Sequence, residues 1–344
     1  MSAFVIPAVH RAVPLLETGA ASVLKVIEKA APQAANLADG GIIVNNKVSS
    51  INVADVLRRA GRFPIPTPPG TVLGAEAAGV VVASRNPGFN VGDRVAFNVA
   101  TQGCYADYVQ IDKPATVNKI PDDVSFETAA SSQVAGLMSL SLLKAHTPKP
   151  GQTIVVWSAA GGVGQSLIRL ASKVHGAKVI GVTSTEIKAK LAKEAGADEV
   201  VIVPRGVAVE KIDDHPLVKR VKEVTDGKGV DAVFDGVGKD AFEASLASLG
   251  VGAALIQYGV VSGPSPPLDT MRLSAKINSV QFHTVVHDMT RPGGYEELTG
   301  ALYKHLQSGL LKVPIYPSYK LEEIAEAHAA VESGTAYGKV IITI

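Results

Sequence analysis

The chain has 344 residues, long for a single hydrophobic core, so two domains are expected. Apolar residues make up 47% and charged residues 19%, and 33 Lys plus Arg against 32 Asp plus Glu leave a net charge of +1, a globular profile without the dense positive charge that recruits nucleic acid or an anionic membrane. The one cysteine, Cys104, excludes an internal disulfide and a four-cysteine zinc site, and suits a reducing, cytoplasmic setting.

In chain order, the opening "MSAFVIPAVHRAVPLLETG" lacks the basic start, apolar core and small-residue cleavage site of a secretory signal. Up to about residue 120, short strand-like runs such as "GIIVNNKVSSINVADV" and "EAAGVVVASRNPGFNVGDRVAF" are punctuated by Gly, Asn, Asp and Pro, as in a mainly β domain. Between them "GRFPIPTPPGTVLG" carries proline at 64, 66, 68 and 69, which rules out helix and predicts an ordered extended loop able to line a cleft. In "KIPDDVSFETAASS", Pro121 ends the β region and Ser125 is placed to cap the next helix. The longest uncharged helical stretch, 128–143, is too short and too polar to span a bilayer, so no membrane partner is expected.

From about residue 151 the pattern alternates. Apolar β-branched runs at 153–158, 178–183, 199–203, 230–235 and 252–258 are separated by helical segments, which predicts a parallel sheet covered on both faces. In "TEIKAKLAKEAGADEV" the residues Ile187, Leu191 and Ala195 form one stripe, predicted to cover the sheet, with lysines opposite.

Val155 to Trp157 end the first of these strands, and Gly161, Gly162 and Gly164 stand just before the helical stripe Leu167, Leu170, Ala171 and Val174. A turn without side chains lets backbone N–H groups approach a pyrophosphate at a helix N-terminus. Ala159 replaces the first glycine of the strict G-x-G-x-x-G pattern, but strand, turn, helix and second strand follow in the order a dinucleotide-binding unit requires. The alternative is a glycine turn serving only close packing. At the end of the second strand, where an acid would hold an unmodified ribose 2′-OH, the chain has Thr183, then Ser184 and Lys188, a set suited to a 2′-phosphate.

Together "AAGGVG", "SINVAD" (50–55), "GAEAAGVV" (74–81), "GDRV" (92–95), "GCYADYV" (103–109), "VFDGVG" (233–238), "QYGVVSG" (257–263) and the terminal "GKVIITI" resemble the zinc-free medium-chain dehydrogenase/reductases, most of all the zeta-crystallin-like quinone oxidoreductases. The resemblance spans essentially the whole chain. It implies an α/β protein: a GroES-like, mainly-β catalytic domain at 1–123 and 290–344, and a Rossmann domain with a doubly wound parallel sheet at 124–289 that binds NADPH. It places Ala160, Gly161, Gly162, Val163, Thr183, Ser184, Lys188, Val237, Tyr258, Gly259, Val260 and Lys339 at the cofactor, and Asn52 near the nicotinamide and substrate as the catalytic residue. Phe63 is placed in the aromatic mouth of the substrate pocket. Another reading of Asn52 is a turn residue bonding its own backbone.

Zinc-dependent relatives carry Cys or His ligands near 52–55 and a His before the glutamate at 76, where this chain has Asn52 and Ala75, so no metal is expected. His283 and His287 share an i, i+4 spacing, but in a strand-like run that separates them along the chain, and are read as structural. Without a Lewis acid the acceptor must take hydride readily, as quinones and conjugated enones do. A quinone reductase is therefore expected, with a 2-alkenal or enoyl reductase as its rival. The family often has Tyr at the positions of Leu57 and Val203, Thr at that of Met138 and sometimes Arg at that of Gly334; these departures remove a possible proton donor and leave Lys188 more alone on the phosphate. "KINSVQFHTVV" (276–286) resembles the edge strand through which family members form homodimers. An NADPH-binding structural or RNA-binding protein is the reading from another class, against which stand the near-zero net charge and 5% aromatic content. Tyr316 and Lys320 match the Y-x-x-x-K of short-chain dehydrogenases, but Pro317 lies between them and the glycine turn is mid-chain, which favours chance.

Overall fold

Six runs of β-branched and apolar residues form one all-parallel sheet in spatial order Glu199–Ile202, Lys178–Thr183, Thr153–Val156, Val230–Asp235, Leu249–Gln257, Ser279–Phe282. Numbered along the chain this is 3-2-1-4-5-6, the doubly wound order of a Rossmann sheet, whose direction of winding reverses beside the first strand. Val155, Val156, Val233 and Phe234 are fully buried, as central parallel strands require. The computed structural model describes residues 4–98, 103–207 and 209–344. Backbone contacts divide the chain into two units: Gly136–Asp288 with Ser308–Lys312, which contains this sheet, and Met1–Ala135 with Met289–Gln307 and Val313–Ile344.

Two sequence expectations for this unit need correction. The helix Glu186–Ala195 buries Ala192 and Ala195, while Ile187 is 62% exposed. The sheet-facing stripe therefore runs through positions 188, 192 and 195, because Ala192 packs onto Gly181, where any larger pair would hold the helix away. Lys188 is thereby half-buried instead of standing on the solvent face. The edge strand also ends at Phe282. Thr284 accepts from the Val286 N–H and starts the short helix Val285–Thr290, so His287 is helical and the run to 286 is not one strand.

The other unit is built on a seven-stranded sheet, centred on the ten-residue strand Ile42–Ile51. Its antiparallel neighbours are Glu76–Ser84 and Val340–Thr343, and Tyr108–Ile111 pairs with its first half. Apolar residues from these strands and from the further strand Arg94–Asn98, among them Ile42, Val44, Val81, Val95 and Phe97, form a buried core. The strand-like reading of "SINVADV" holds only to Ile51: Val53–Arg59 is a helix. Asp55 at its third position accepts from the Asn52 backbone N–H, an end-capping contact that overrides the β-branched composition.

Candidate active site

Register brings the site together. Ile51 pairs with Val340 and Ser50 pairs with Glu76, so the residues just past these pairs, Asn52 and Lys339, meet Glu76 at one end of three adjacent strands. Gly338 makes the approach possible. It has φ of 59°, and a Cβ there would lie 2.0 Å from the Pro314 carbonyl. Lys339 then donates from Nζ to Glu76 Oε1 at 2.5 Å, to Asn52 Oδ1 at 2.7 Å and to the Ile51 carbonyl at 3.2 Å. All three ammonium hydrogens are engaged inside the unit, one of them by Asn52.

Asn52 in turn donates from Nδ2 to Glu76 Oε1 at 2.9 Å. Asn52 is also the N-cap of the helix Val53–Arg59, where it and Asp55 form a capping box. With Oδ1 facing an ammonium and one Nδ2 hydrogen facing a carboxylate, the amide cannot flip, and the other Nδ2 hydrogen has no acceptor among the described residues. Glu76 is fully buried, and its second oxygen accepts from the Val134 N–H at 2.7 Å. Asp55, also fully buried, accepts at Oδ2 from the Asn52 N–H at 2.9 Å and from the Tyr105 hydroxyl at 3.2 Å. Burial pushes its carboxyl up to about 6, although its hydrogen bonds and the nearby Lys339 charge pull the other way. Sequence reasoning missed Glu76 and Asp55. Their signal was an acid inside an otherwise buried apolar stretch, which demands a partner.

Phe63 stands beyond the helix Val53–Arg59, its N–H bonded to the Leu57 carbonyl, and borders a cavity with Arg58 and Ile65. Leu57 is buried and offers no polar group.

In the Rossmann unit the glycine turn has the form a phosphate needs. Gly161 is the N-cap of the helix Gly162–Lys173 and no side chain caps it, which leaves the first amides, from Gly162 and Val163, without an internal partner. A Cβ on Gly164 would stand 2.3 Å from the Ser158 carbonyl, so this glycine serves close packing of helix on strand. Ala160 precedes the cap and its carbonyl holds Gln165 Nε2. Thr183 ends the second strand, buried, with Ser184 next to it. Lys188 is not alone. Burial and then the charge of Arg205 depress its ammonium, so two cations lie near each other after adjacent strands. A bound dianion between them would relieve that repulsion. Sequence reasoning missed Arg205, whose only signal is a basic residue shortly after the neighbouring strand.

Asp235, buried at the end of the fourth strand, accepts from the N–H groups of Val237 and Gly238 at 2.7 and 3.1 Å and from Gln257 Nε2 at 3.3 Å. Burial raises its carboxyl to about 6. The Val237 carbonyl accepts from the Ser262 N–H and hydroxyl. Tyr258, Gly259 and Val260 follow the fifth strand, half-buried, and a Cβ on Gly259 would lie 2.6 Å from the Gly236 carbonyl. The glycine turn, Thr183, Val237 and Tyr258 thus all lie at carboxyl ends of parallel strands, where doubly wound sheets take ligands.

Among the described residues no three His, Cys, Asp or Glu side chains are grouped to hold a metal, and no helix is long and apolar enough to cross a membrane. His283 Nε2 lies 2.6 Å from Ser141 Oγ, which donates to Asp288, while His287 is carried on the next helix.

A GroES-like unit with a buried amide clamp and a Rossmann unit with a phosphate-ready turn define a pyridine-nucleotide dehydrogenase or reductase. Residues 38–122 match the alcohol dehydrogenase GroES-like domain and residues 162–299 the zinc-binding dehydrogenase domain. The chain is 33% identical to a probable quinone oxidoreductase of Schizosaccharomyces pombe over 96% of each chain. It is 36% identical to a quinone oxidoreductase of Salmonella typhimurium over 89% of this chain and 91% of that one. Its structure resembles that of Escherichia coli quinone oxidoreductase solved with NADPH, at TM-score 0.87 and 31% identity over 97% of this chain and all of the other. A mycobacterial protein solved with NADPH matches at TM-score 0.88 and 34% identity, with the same coverage. The chain belongs to the medium-chain dehydrogenase/reductase family, in its quinone oxidoreductase-like branch.

Proposed function

We propose that this chain reduces quinones with NADPH, without a metal, as a cytoplasmic homodimer. The observation that carries the reading is the fixed amide of Asn52, with one N–H left to meet the oxygen of an acceptor. NADPH, when bound, supplies the hydride. One hydride and one proton convert a quinone to its hydroquinone. During that step negative charge develops on oxygen, where a preorganised donor in a dry site stabilises it. The Lys339 ammonium beside Asn52 disfavours a divalent cation at the same place, which supports metal-free chemistry.

Gly162 and Val163 would hold the pyrophosphate, and Thr183, Ser184, Lys188 and Arg205 the 2′-phosphate. Quinone is favoured over enone by the names of the relatives. Steady-state rates with a naphthoquinone and with an enone, each with NADPH and NADH, test the reading: the expected order puts quinone with NADPH first, and an enone turned over faster would overturn it. For the dimer, the strand Ser279–Phe282 is an unpaired sheet edge with Phe282 62% exposed, a surface that pairing with a second copy would cover. Sedimentation is expected to give a dimer for the wild type and a monomer for Phe282→Asp.

A further inference from the structure

The loop "GRFPIPTPPG" and the end of the helix Val53–Arg59 enclose a cavity of about 250 Å³. Its walls include Thr18, Arg58, Phe63, Ile65, Pro66 and Thr67, and no acidic side chain. This is just below the range of about 300–1,000 Å³ typical of drug-sized ligands, so the space suits a small ring.

Arg58 stands differently from its neighbour. Arg59 is buried and paired with Glu332 and the Gly19 carbonyl. Arg58 has no ion pair among the described residues. Its guanidinium carbon lies 3.9 Å from the centroid of the Phe63 ring, and Nη1 donates to Thr67 Oγ1 at 3.3 Å. Its Nε is buried without a hydrogen-bond partner among the described residues. Asp55, one turn earlier, already serves Asn52 and Tyr105. A buried N–H without an acceptor is costly unless something fills it. Stacking fixes the plane of the guanidinium, and its planar fork matches a carboxylate or sulfonate. Proline on either side of Ile65 and the Phe63 N–H bond to Leu57 hold the wall in place before any ligand arrives.

We propose that Arg58 forms an anion-binding subsite in this cavity, so that the favoured acceptor is a planar quinone bearing an acidic substituent such as a carboxylate or sulfonate. The ring lies against Phe63, Ile65 and Pro66, and the acid meets the Arg58 fork and the two threonine hydroxyls. This rests on the reading that the cavity beside Phe63 takes the hydride acceptor.

The test compares 1,4-naphthoquinone with its 2-sulfonate in wild type, Arg58→Met and Arg58→Lys. The sulfonate also makes the ring easier to reduce, an effect common to all three proteins, so the readout is the change in the ratio of kcat/KM values. The ratio is expected to fall at least tenfold in Arg58→Met, chiefly through KM of the sulfonate, and to be intermediate in Arg58→Lys, which keeps the charge without the fork. An unchanged ratio overturns the subsite. If the wild type reduces neither quinone, the quinone-reductase reading fails, and calorimetry still decides the subsite: saturable binding of 2-naphthoate but not of naphthalene-2-carboxamide, lost in Arg58→Met, supports it, and equal or absent binding of the two overturns it.

Discussion

Lys339 Nζ and Glu76 Oε1 are 2.5 Å apart in a site where Lys339 is 6% exposed and Glu76 not at all. Such a pair contributes little net stability compared with an apolar replacement, yet removing one partner strands a buried charge. Lys339→Met is therefore expected to lower unfolding free energy by about 3–5 kcal/mol in urea titrations. Adding Glu76→Gln should recover a large part of that loss. Equal losses in the single and double variants would show that the two charges are not coupled.

Asn52→Ala removes the proposed donor to the acceptor oxygen. Loss of one preorganised donor lowers turnover by about 100-fold in comparable sites, so kcat should fall on that scale while NADPH affinity stays close to wild type. A variant that loses NADPH binding and keeps kcat would move Asn52 away from the reacting end.

Lys188→Ala should weaken NADPH by about ten- to hundredfold, the value of a partly desolvated charged hydrogen bond, and leave NADH nearly unchanged. Arg205 is exposed, so Arg205→Ala should weaken NADPH by only about threefold. Trp157 follows the first strand, its indole N–H on Ser245 at 2.9 Å, and its fluorescence can report both titrations. Equal weakening of the two cofactors would mean that these cations do not read the 2′-phosphate.

Asp55 yields a prediction in pH. Its carboxyl titrates near 6 in the folded chain against a usual 3.8, so the folded state binds the proton more tightly than the unfolded one. Its contribution to stability is then greatest below pH 4 and declines as pH rises through 6. Over that window the group removes up to about 3 kcal/mol, and Asp55→Asn should gain on the wild type by a fraction of this between pH 4 and 7. Denaturant midpoints at the two pH values are the measurement. A constant difference would place the titration elsewhere.

The Rossmann sheet was legible because buried parallel strands leave unbroken β-branched runs, and these fall where the sequence puts them. The phase of the helix Glu186–Ala195 was not, since hydrophobicity favours Ile187 whereas the close approach of Gly181 selects Ala192. Asn52 could be singled out by its place in a motif, but its partners could not. Lys339 lies 287 residues away, and only strand register brings it there. Arg205 was hidden for a similar reason: its neighbour Lys188 follows a different strand.

The route by which Lys339 reaches Glu76 also sets an order of events on the ribosome. Asn52 and Glu76 emerge early, and the cation that neutralises Glu76 follows 263 residues later. Until then the central strand lacks the neighbour Val340–Thr343, and Glu76 has to stay hydrated because the buried ammonium that pairs with it has not been made. The nascent chain can complete the Rossmann sheet while the amide clamp is still open. The orientation of Asn52 thus depends on a strand made long after Asn52 and Glu76 themselves.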